Sequence, residues 1–299
     1  MSSGPTNRIV FFGTEEFSAI SLQALIDNGF NVAAVVTKPD SKKGRGQKLV
    51  PPTVKLIAQK HSIPVWQPNR LSEVIENIRQ LQPVSGVLVS FGKLIPSSII
   101  DLFSPGIINV HPSKLPTYRG PSPIESAILN GDSQTGVSIM QLVAKMDAGP
   151  IYSFVQFELN GTETQAELYT SLGQAGASEL VNVLPRIIDG TLQATPQDES
   201  AASYCQLIQK ADGIINWTQP AAKIERQIRA LKSWPGSRTT ISGTEIIITK
   251  AHVSDSAGDP KRELSFECGD KKYLYVDTLK PVGKKEMPVQ AFLAGHKIN

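Results

Sequence analysis

An asparagine and a histidine that could act on a carbonyl group stand two residues apart in the middle of the chain. The stretch IINVHPSKLPTYRGPSP, from Ile107 to Pro123, starts as an apolar run that carries Asn109 and His111 and then becomes a loop rich in Pro and Gly. Residues two apart on a strand point the same way, so both side chains are predicted to project together from its carboxyl end, where open α/β sheets bind ligands. An amide and an imidazolium can both donate to a developing oxyanion. The alternative is a hydrogen-bonded structural histidine, which is the commoner role of a lone His on a strand.

A carboxylate in a second segment is a candidate partner for this histidine. Asp147 lies in KMDAGP, which follows the apolar run from Val137 to Val143. A carboxylate there could orient an imidazole and stabilise its charged form. Asp147 could equally do no more than begin a turn with Gly149, and the spacing alone leaves both interpretations open.

The elements before these residues predict a doubly wound, mostly parallel α/β sheet. Ile9 to Phe12 reads as a strand that ends at Gly13, with Thr14 as a candidate N-cap and a helix from about Phe17 to Asn28. Further apolar runs alternate with helix-like stretches such as Leu71 to Leu81, as expected for βαβ units. These runs are Val32–Val36, Ile63–Val65, Val87–Val89 and Ile107–Val110.

A second, smaller domain is predicted at the C-terminal end. The segment TLQATPQDESAASY is polar and aperiodic, as interdomain linkers are. We therefore expect domains at 1–190 and 207–299, joined by a linker at 191–206. In the second domain, a helix from Ala221 to Leu231 precedes short strands with Gly-containing turns, the pattern of a small OB-like β-barrel. The predicted strands are Arg238–Ile241, Glu245–Thr249 and Lys272–Asp277.

Composition excludes several classes of protein. The chain has 299 residues, a net charge of +3 and two cysteines, Cys205 and Cys268, without CxxC spacing, which argues against a disulfide framework or a zinc site. No apolar run approaches the roughly 18 residues of a membrane span, and we expect no signal peptide because MSSGPTNR lacks the apolar stretch of one. We expect a cytoplasmic monomer that makes no contact with membranes.

The two chemical segments together resemble the signature of the folate-dependent formyltransferases. In that family an Asn, a His and an Asp are catalytic, and NVHPSKLPTYRG followed by MDAGPI places them at Asn109, His111 and Asp147. The resemblance implies a Rossmann-like formyltransferase domain, 10-formyltetrahydrofolate as the formyl donor and no metal. It also implies that Ser113, Lys114, Leu115 and Pro116 contact the folate, since the family motif is usually SLLP. Lys114 departs from that motif, and we expect its ammonium to reach water while its stem covers apolar surface.

The acceptor has to be inferred from other segments, because the family includes enzymes acting on tRNA, on sugar nucleotides and on glycinamide ribonucleotide. KPDSKKGRGQKLVPPTVK, residues 38–55, resembles the long basic insertion of the enzymes that act on methionyl initiator tRNA. A Gly-rich basic loop suits a phosphate backbone. The predicted tRNA contacts in this loop are Lys42, Lys43, Arg45 and Lys48. A solvated surface loop is the alternative.

The region INWTQPAAKIERQIRALKSWPGS resembles the extra domain of the tRNA enzymes. On a helix, Lys223 and Arg226, followed by Arg229 and Lys232, would form a basic face. Three apolar residues are predicted to face the core on the opposite side: Ile224, Ile228 and Leu231. Trp217 and Trp234 are interpreted as core aromatics rather than as base-stacking platforms.

The resemblance thus predicts transfer of a formyl group to the α-amino group of methionyl initiator tRNA, in support of translation initiation. A sugar-nucleotide N-formyltransferase and a tRNA- or folate-binding protein without catalysis remain alternatives. A nicotinamide-dependent oxidoreductase is disfavoured, although Asp40 after the second strand imitates a dinucleotide site. The first turn, GTEEF, lacks GxGxxG, and Glu15 and Glu16 would repel a pyrophosphate.

Overall fold

The protein divides into two compact units in a computed structural model that describes residues 8–43, 46–259 and 262–296. The first unit comprises Met1–Pro121, Thr135–Phe157 and Tyr169–Tyr204. The second comprises Ser122–Gln134, Glu158–Leu168 and Cys205–Asn299. The domain bounds at 190 and 206 stay a prediction.

Nine strands and six α-helices are described between residues 8 and 188. The strands are β1 (Arg8–Gly13), β2 (Asn31–Val36), β3 (Ser41–Lys43), β4 (Lys48–Val50), β5 (Val65–Trp66), β6 (Ser85–Val89), β7 (Ile107–His111), β8 (Gln134–Gln141) and β9 (Ile151–Glu158). The helices are α1 (Glu16–Asp27), α2 (Thr53–Lys60), α3 (Ile75–Leu81), α4 (Ser97–Ile100), α5 (Pro123–Asn130) and α6 (Gln165–Ile188). Among the described residues, the main sheet has the order β5-β2-β1-β6-β7-β8-β9. The first five strands are parallel and β8 runs antiparallel to β7, which confirms the predicted fold class.

Two local predictions differ from the structure. Thr14 does not cap α1, because its hydroxyl donates across to the main-chain oxygen of Phe91 at 3.1 Å, and Glu15 takes the N-cap position. The predicted helix from Leu71 to Leu81 is split into a 3-10 turn at Leu71–Val74 and the helix α3. Tight turns of this kind are common at the start of an α-helix.

The core of the first unit lies on both faces of β1. Residues 9–12 of that strand are fully buried. On one side, the Phe12 ring makes edge-to-face contacts with Phe91 and Phe103, at 5.8 Å and 6.0 Å between ring centroids. Leu22 of α1 is also fully buried, and truncation of such a side chain to Ala costs about 2–5 kcal/mol. A sheet covered on both faces is what near-continuous apolar strands indicate.

The second unit contains an antiparallel half-barrel. Its C-terminal part contains α7 (Ala221–Ala230), β10 (Ser237–Ile241), β11 (Thr244–Ser254), β12 (Ser265–Glu267), β13 (Tyr273–Pro281), β14 (Met287–Pro288) and α8 (Val289–Gly295). The strands pair in the order β10-β11-β13-β12, with β14 on β13. Ser242 and Gly243 join β10 to β11 with φ values of 44° and 78°, the positive values that tight hairpin turns require. This agrees with the small β-barrel domain predicted for this region.

The apolar stripe of α7 packs on this half-barrel as predicted. Ile224, Ile228 and Leu231 are each 1% exposed. Trp217 stacks on Phe266 at 4.1 Å between ring centroids and packs against the same core. The prediction that Trp234 is a core aromatic is wrong, since its side chain is 54% exposed. It lies in the turn after α7, where the chain buries Pro235 and Gly236 instead.

Candidate active site

Strand β7 places Asn109 and His111 at one end of the main sheet. Both side chains are 5% exposed, and they alternate with the buried apolar residues Ile108 and Val110, as the period of a strand requires. Within the described part of the chain, the Asn109 side-chain amide makes no hydrogen bond. A buried amide without a protein partner is available to a ligand that brings an acceptor.

His111 has an oxygen acceptor beside each ring nitrogen. Its Nε2 lies 2.9 Å from the main-chain oxygen of Tyr118, to which it can donate. Its Nδ1 lies 3.8 Å from Oδ2 of Asp147, which is an ion-pair distance and too long for a hydrogen bond. Nε2 therefore has a hydrogen-bond acceptor, whereas Nδ1 faces a carboxylate across a gap.

Asp147 faces the histidine from within a turn, of which it is the third residue and not the first, since the Ala148 N–H donates to the main-chain oxygen of Lys145 at 3.3 Å. Its backbone is left-handed, with φ of 47°, a conformation that Asp tolerates better than most residues. Oδ2 accepts a hydrogen bond from the main-chain N–H of Gly120 at 2.8 Å. A Cβ on Gly149 would lie 1.8 Å from the main-chain oxygen of Gln141, so this turn requires glycine there. The carboxylate is thus held toward His111 by the loop that follows β7.

A buried arginine that sequence reasoning missed lies beside this loop. The Arg119 side chain is fully buried, and it donates from Nε and Nη2 to Oε1 of Gln197, at 3.1 Å and 2.8 Å. It also pairs with Glu199 at 2.8 Å and donates to the Tyr204 hydroxyl at 3.1 Å. The hydrogen bond from Arg119, together with that from Lys145, lowers the pKa of Glu199 to about 2. The sequence around Arg119, TYRGP, gives little sign that this side chain is buried. Its partners lie about eighty residues further along the chain, so local spacing could not reveal them.

The predicted folate-contact residues form the turn that leaves β7. The Ser113 hydroxyl is buried and donates to the main-chain oxygen of Thr117 at 2.6 Å. The Leu115 side chain is 6% exposed, and its main-chain N–H donates to Oγ of Ser138 at 3.2 Å. Pro116 is half-buried, whereas Lys114 is exposed. Their assignment to folate stays a prediction.

Comparison with known proteins places this site in a family. Residues 7–184 match the family model described as formyl transferase, and residues 207–297 match formyl transferase, C-terminal domain. The chain belongs to the formyltransferase family. The resemblance inferred from NVHPSKLPTYRG and MDAGPI is therefore confirmed.

Relatives of this formyltransferase are similar over almost their whole length. The methionyl-tRNA formyltransferase of Pelobacter propionicus is 39% identical over 296 residues, which cover 96% of this chain and 92% of the relative. That of Trichlorobacter lovleyi is 39% identical, covering 97% and 95%. That of Bacillus velezensis is 37% identical, with the same coverage.

A solved formyltransferase structure shares the fold. The N-formyltransferase from Helicobacter canadensis, in complex with folinic acid and dTDP-3-aminofucose, matches with a TM-score of 0.69 at 22% identity. The match covers 90% of this chain and 98% of that one. At this identity the likeness concerns the fold alone.

The basic insertion of this formyltransferase begins as a hairpin. Strands β3 and β4 pair antiparallel, with Lys43 opposite Lys48. The side chains of Lys42 and Lys48 are exposed, whereas Arg45 and the side chain of Lys43 lie outside the described residues. Nearby, Asp40 accepts hydrogen bonds from Gln67 and Lys55, which lower its pKa. The carboxylate that imitates a dinucleotide-binding acid is therefore already bound by side chains of the protein.

Helix α7 of this formyltransferase does not present four free cations. Lys223 is exposed, but Arg226 is half-buried and donates to the main-chain oxygen of Asn130 at 3.3 Å. Arg229 pairs with Glu225 at 2.7 Å and donates to the main-chain oxygen of Glu163 at 2.8 Å. The basic face predicted for this helix is thus reduced, because two of its arginines hold neighbouring segments of the second unit.

Two features are absent from the described residues, a metal-binding cluster and a membrane-spanning helix. In residues 8–43, 46–259 and 262–296, no group of three or more His, Cys, Asp or Glu side chains could hold a metal ion. Over the same ranges, no helix has the length and apolar character that a membrane crossing requires.

Proposed function

We propose that this protein transfers the formyl group of 10-formyltetrahydrofolate to the α-amino group of methionyl initiator tRNA, in support of translation initiation. The observation that carries the proposal is the similarity over 96% of the chain to a relative named methionyl-tRNA formyltransferase. The sugar formyltransferase of known structure is more distant, at 22% identity. A sugar-nucleotide acceptor is therefore the alternative outcome of the test.

The residues at the end of β7 can supply the chemistry of amine formylation. Attack of the amine on the formyl carbon forms a C–N bond and places negative charge on the formyl oxygen. The Asn109 amide would donate to that oxygen, and one such donor contributes on the order of 3 kcal/mol to lowering the barrier. The His111 imidazolium, whose two N–H groups face Tyr118 and Asp147, would stabilise the same charge electrostatically. When the bond to the folate nitrogen breaks, the proton lost by the amine passes to that nitrogen. Asp147 would hold the charge on His111 and direct this proton through water.

The donor is proposed to bind beside the turn of residues 113–116. The Asn109 amide fits this proposal, because it is buried and has no protein partner within the described residues. The buried Ser113 and Leu115 would form the wall of the folate site, with Pro116 beside them. The exposed Lys114 would contact the folate from the solvent side of the turn.

The acceptor is proposed to bind along the basic insertion. The exposed Lys42 and Lys48 of the hairpin would contact tRNA phosphates together with Lys43 and Arg45. On α7, Lys223 would add a contact, and Arg226 would do so with the donors that remain after its bond to Asn130. We further expect the protein to act as a monomer in the cytoplasm.

Formyl transfer to parallel acceptors tests this proposal. Radiolabelled formyl from 10-formyltetrahydrofolate would be followed onto methionyl initiator tRNA, glycinamide ribonucleotide and an amino-sugar nucleotide. His111→Ala should abolish transfer, with the exposed His61→Ala as its control, whereas Arg45→Ala should mainly raise KM for tRNA, with the exposed Arg79→Ala as control. Transfer only to the amino-sugar nucleotide would show that this nucleotide, and not tRNA, is the acceptor. Transfer to none would favour a binding protein without catalysis.

A further inference from the structure

The segment from Thr195 to Tyr204 is bonded to both loops that carry the catalytic groups. The sequence predicts only a linker here. Within the first unit, however, Gln197 contacts the turn that contains Asp147, and Ser203 contacts the loop next to His111. We propose that Gln197 and Arg119 are positioning residues, which set the place of Asp147 relative to His111. This inference rests on the proposed formyl transfer and adds two residues to its machinery.

Gln197 ties the turn of Asp147 through two main-chain oxygens. Its Nε2 donates to the main-chain oxygen of Asp147 at 2.8 Å and to that of Gly149 at 2.7 Å. The side-chain amide of Gln197 thus bonds to the main-chain oxygens of the two residues that flank Ala148. The turn contains the left-handed Asp147, whose backbone few residues adopt without such support.

Arg119 fixes the orientation of Gln197. Two of its N–H groups grip Oε1 of Gln197, so the amide can present only its nitrogen to the turn. Glu199 holds the other side of the guanidinium, in a pair with Oε1 at 2.8 Å and Oε2 at 3.2 Å. Because Arg119 is fully buried, each of its donors needs a partner, and this requirement makes the arrangement specific.

Ser203 of the same segment bonds to Tyr118, the residue whose main-chain oxygen faces His111. The Ser203 hydroxyl accepts from the main-chain N–H of Tyr118 at 3.0 Å, and the Ser203 N–H donates to the main-chain oxygen of Pro116 at 3.1 Å. The main-chain oxygen of Tyr118 is the group that Nε2 of His111 contacts. The segment therefore holds both loops that face the imidazole, one beside each ring nitrogen.

The expected effect is on rate rather than on substrate binding. Asp147 stands 3.8 Å from Nδ1 of His111, so a small movement of its turn changes their interaction strongly. A misplacement of about 1 Å in a catalytic group can cost about 100-fold in rate. Neither Gln197 nor Arg119 needs to touch a substrate for this to occur.

Gln197→Glu separates the two roles of the glutamine. The variant keeps an acceptor for Arg119 but, while ionised, cannot donate to Asp147 or Gly149. At pH 7.5 we expect kcat to fall about 10- to 100-fold, with KM for both substrates within about threefold. Because the guanidinium that lowers the pKa of Glu199 also contacts position 197, the new carboxyl should stay ionised, so the ratio of variant to wild-type kcat should not change between pH 7.5 and 5.5. Gln193 offers a matched control, since it is exposed and lies four residues before Gln197. Among the described residues it donates only to Gly190, at 2.7 Å, so Gln193→Glu should leave kcat unchanged.

A spectroscopic measurement keeps the proposal testable if Gln197→Glu is unstable. The ¹⁵N signals of the His111 ring should shift in Gln197→Met and in Ser203→Ala but stay in place in Gln193→Met. A folded Gln197→Glu with wild-type kcat, or with a loss confined to KM, would overturn the inference. If the wild type formylates only a small acceptor, the tRNA proposal fails, and the same kcat ratio measured on that acceptor decides this inference separately.

Discussion

His111 Nδ1 and Asp147 Oδ2 lie 3.8 Å apart, which is within ion-pair distance but too far for a hydrogen bond. The same carboxylate oxygen is held by the main-chain N–H of Gly120 at 2.8 Å. Asp147 is thus anchored by the backbone while its carboxylate faces the imidazole. The side chain therefore combines a structural contact with a position from which its charge can act on His111.

Asp147→Asn should remove the charge and keep the anchor, because an amide oxygen can still accept from Gly120. We expect kcat to fall by about 100-fold or more, with KM for the folate donor nearly unchanged. Steady-state kinetics over a range of pH would measure this, with the exposed Asp101→Asn as control. Full activity in Asp147→Asn would exclude an electrostatic role for the carboxylate.

Asn109→Leu should abolish most activity without destabilising the fold. The substitution removes an oxyanion donor, which costs about 10²- to 10³-fold in kcat. It also replaces a buried amide that has no hydrogen bond in the described residues, so the free energy of unfolding should stay the same or rise by about 1 kcal/mol. Urea denaturation and transfer assays would measure both. A loss of several kcal/mol in stability would contradict the unbonded state of the amide.

Glu199→Gln should lower stability in a manner that depends on pH. Arg119 and Lys145 hold the pKa of Glu199 at about 2, below the ordinary value of 4.5. Because the folded state has the lower pKa, the carboxylate stabilises the fold above about pH 4.5, and this stabilisation is lost as the pH falls toward 2. The difference in unfolding free energy between wild type and Glu199→Gln should therefore be constant from pH 8 to 5 and shrink below. Glu76→Gln, in an exposed pair with Arg79, serves as the control.

Lys114→Leu, which restores the usual family motif, should leave catalysis nearly unchanged. The Lys114 side chain is exposed, so its replacement disturbs no buried contact. We expect KM for the folate donor to change by no more than about threefold and kcat to stay constant, since surface substitutions alter free energies by about 0.5 kcal/mol. A change above tenfold in KM would show that the ammonium itself contacts the donor.

Lys42→Ala and Lys48→Ala should weaken tRNA binding and leave the chemical step intact. Each lysine that contacts a phosphate contributes about one unit to the slope of log affinity against log salt. We therefore expect a higher KM for methionyl initiator tRNA, a slope reduced by about one, and an unchanged kcat. Binding of uncharged tRNA at several salt concentrations would measure the slope. The exposed Lys284→Ala is the control, and an unchanged slope in both hairpin variants would place the tRNA elsewhere.

The sequence by itself determined the elements and the chemistry of the candidate site. Apolar runs bounded by Gly and polar residues located strands β1, β2, β6 and β7, and the period of the helix located the buried stripe of α7. The spacing of Asn109 and His111 placed both at the end of one strand. These predictions succeeded because strands and helices repeat every two or 3.6 residues, so the pattern is visible among residues that are close together in the sequence.

Only the tertiary structure decided which distant groups meet. Asp147 faces His111 across 36 positions, and Arg119 finds Gln197 and Glu199 about eighty residues away. The same reason explains why Arg226 turns inward to Asn130. A buried polar group must find a hydrogen-bond partner, and the fold as a whole, not local spacing, determines which partner is within reach.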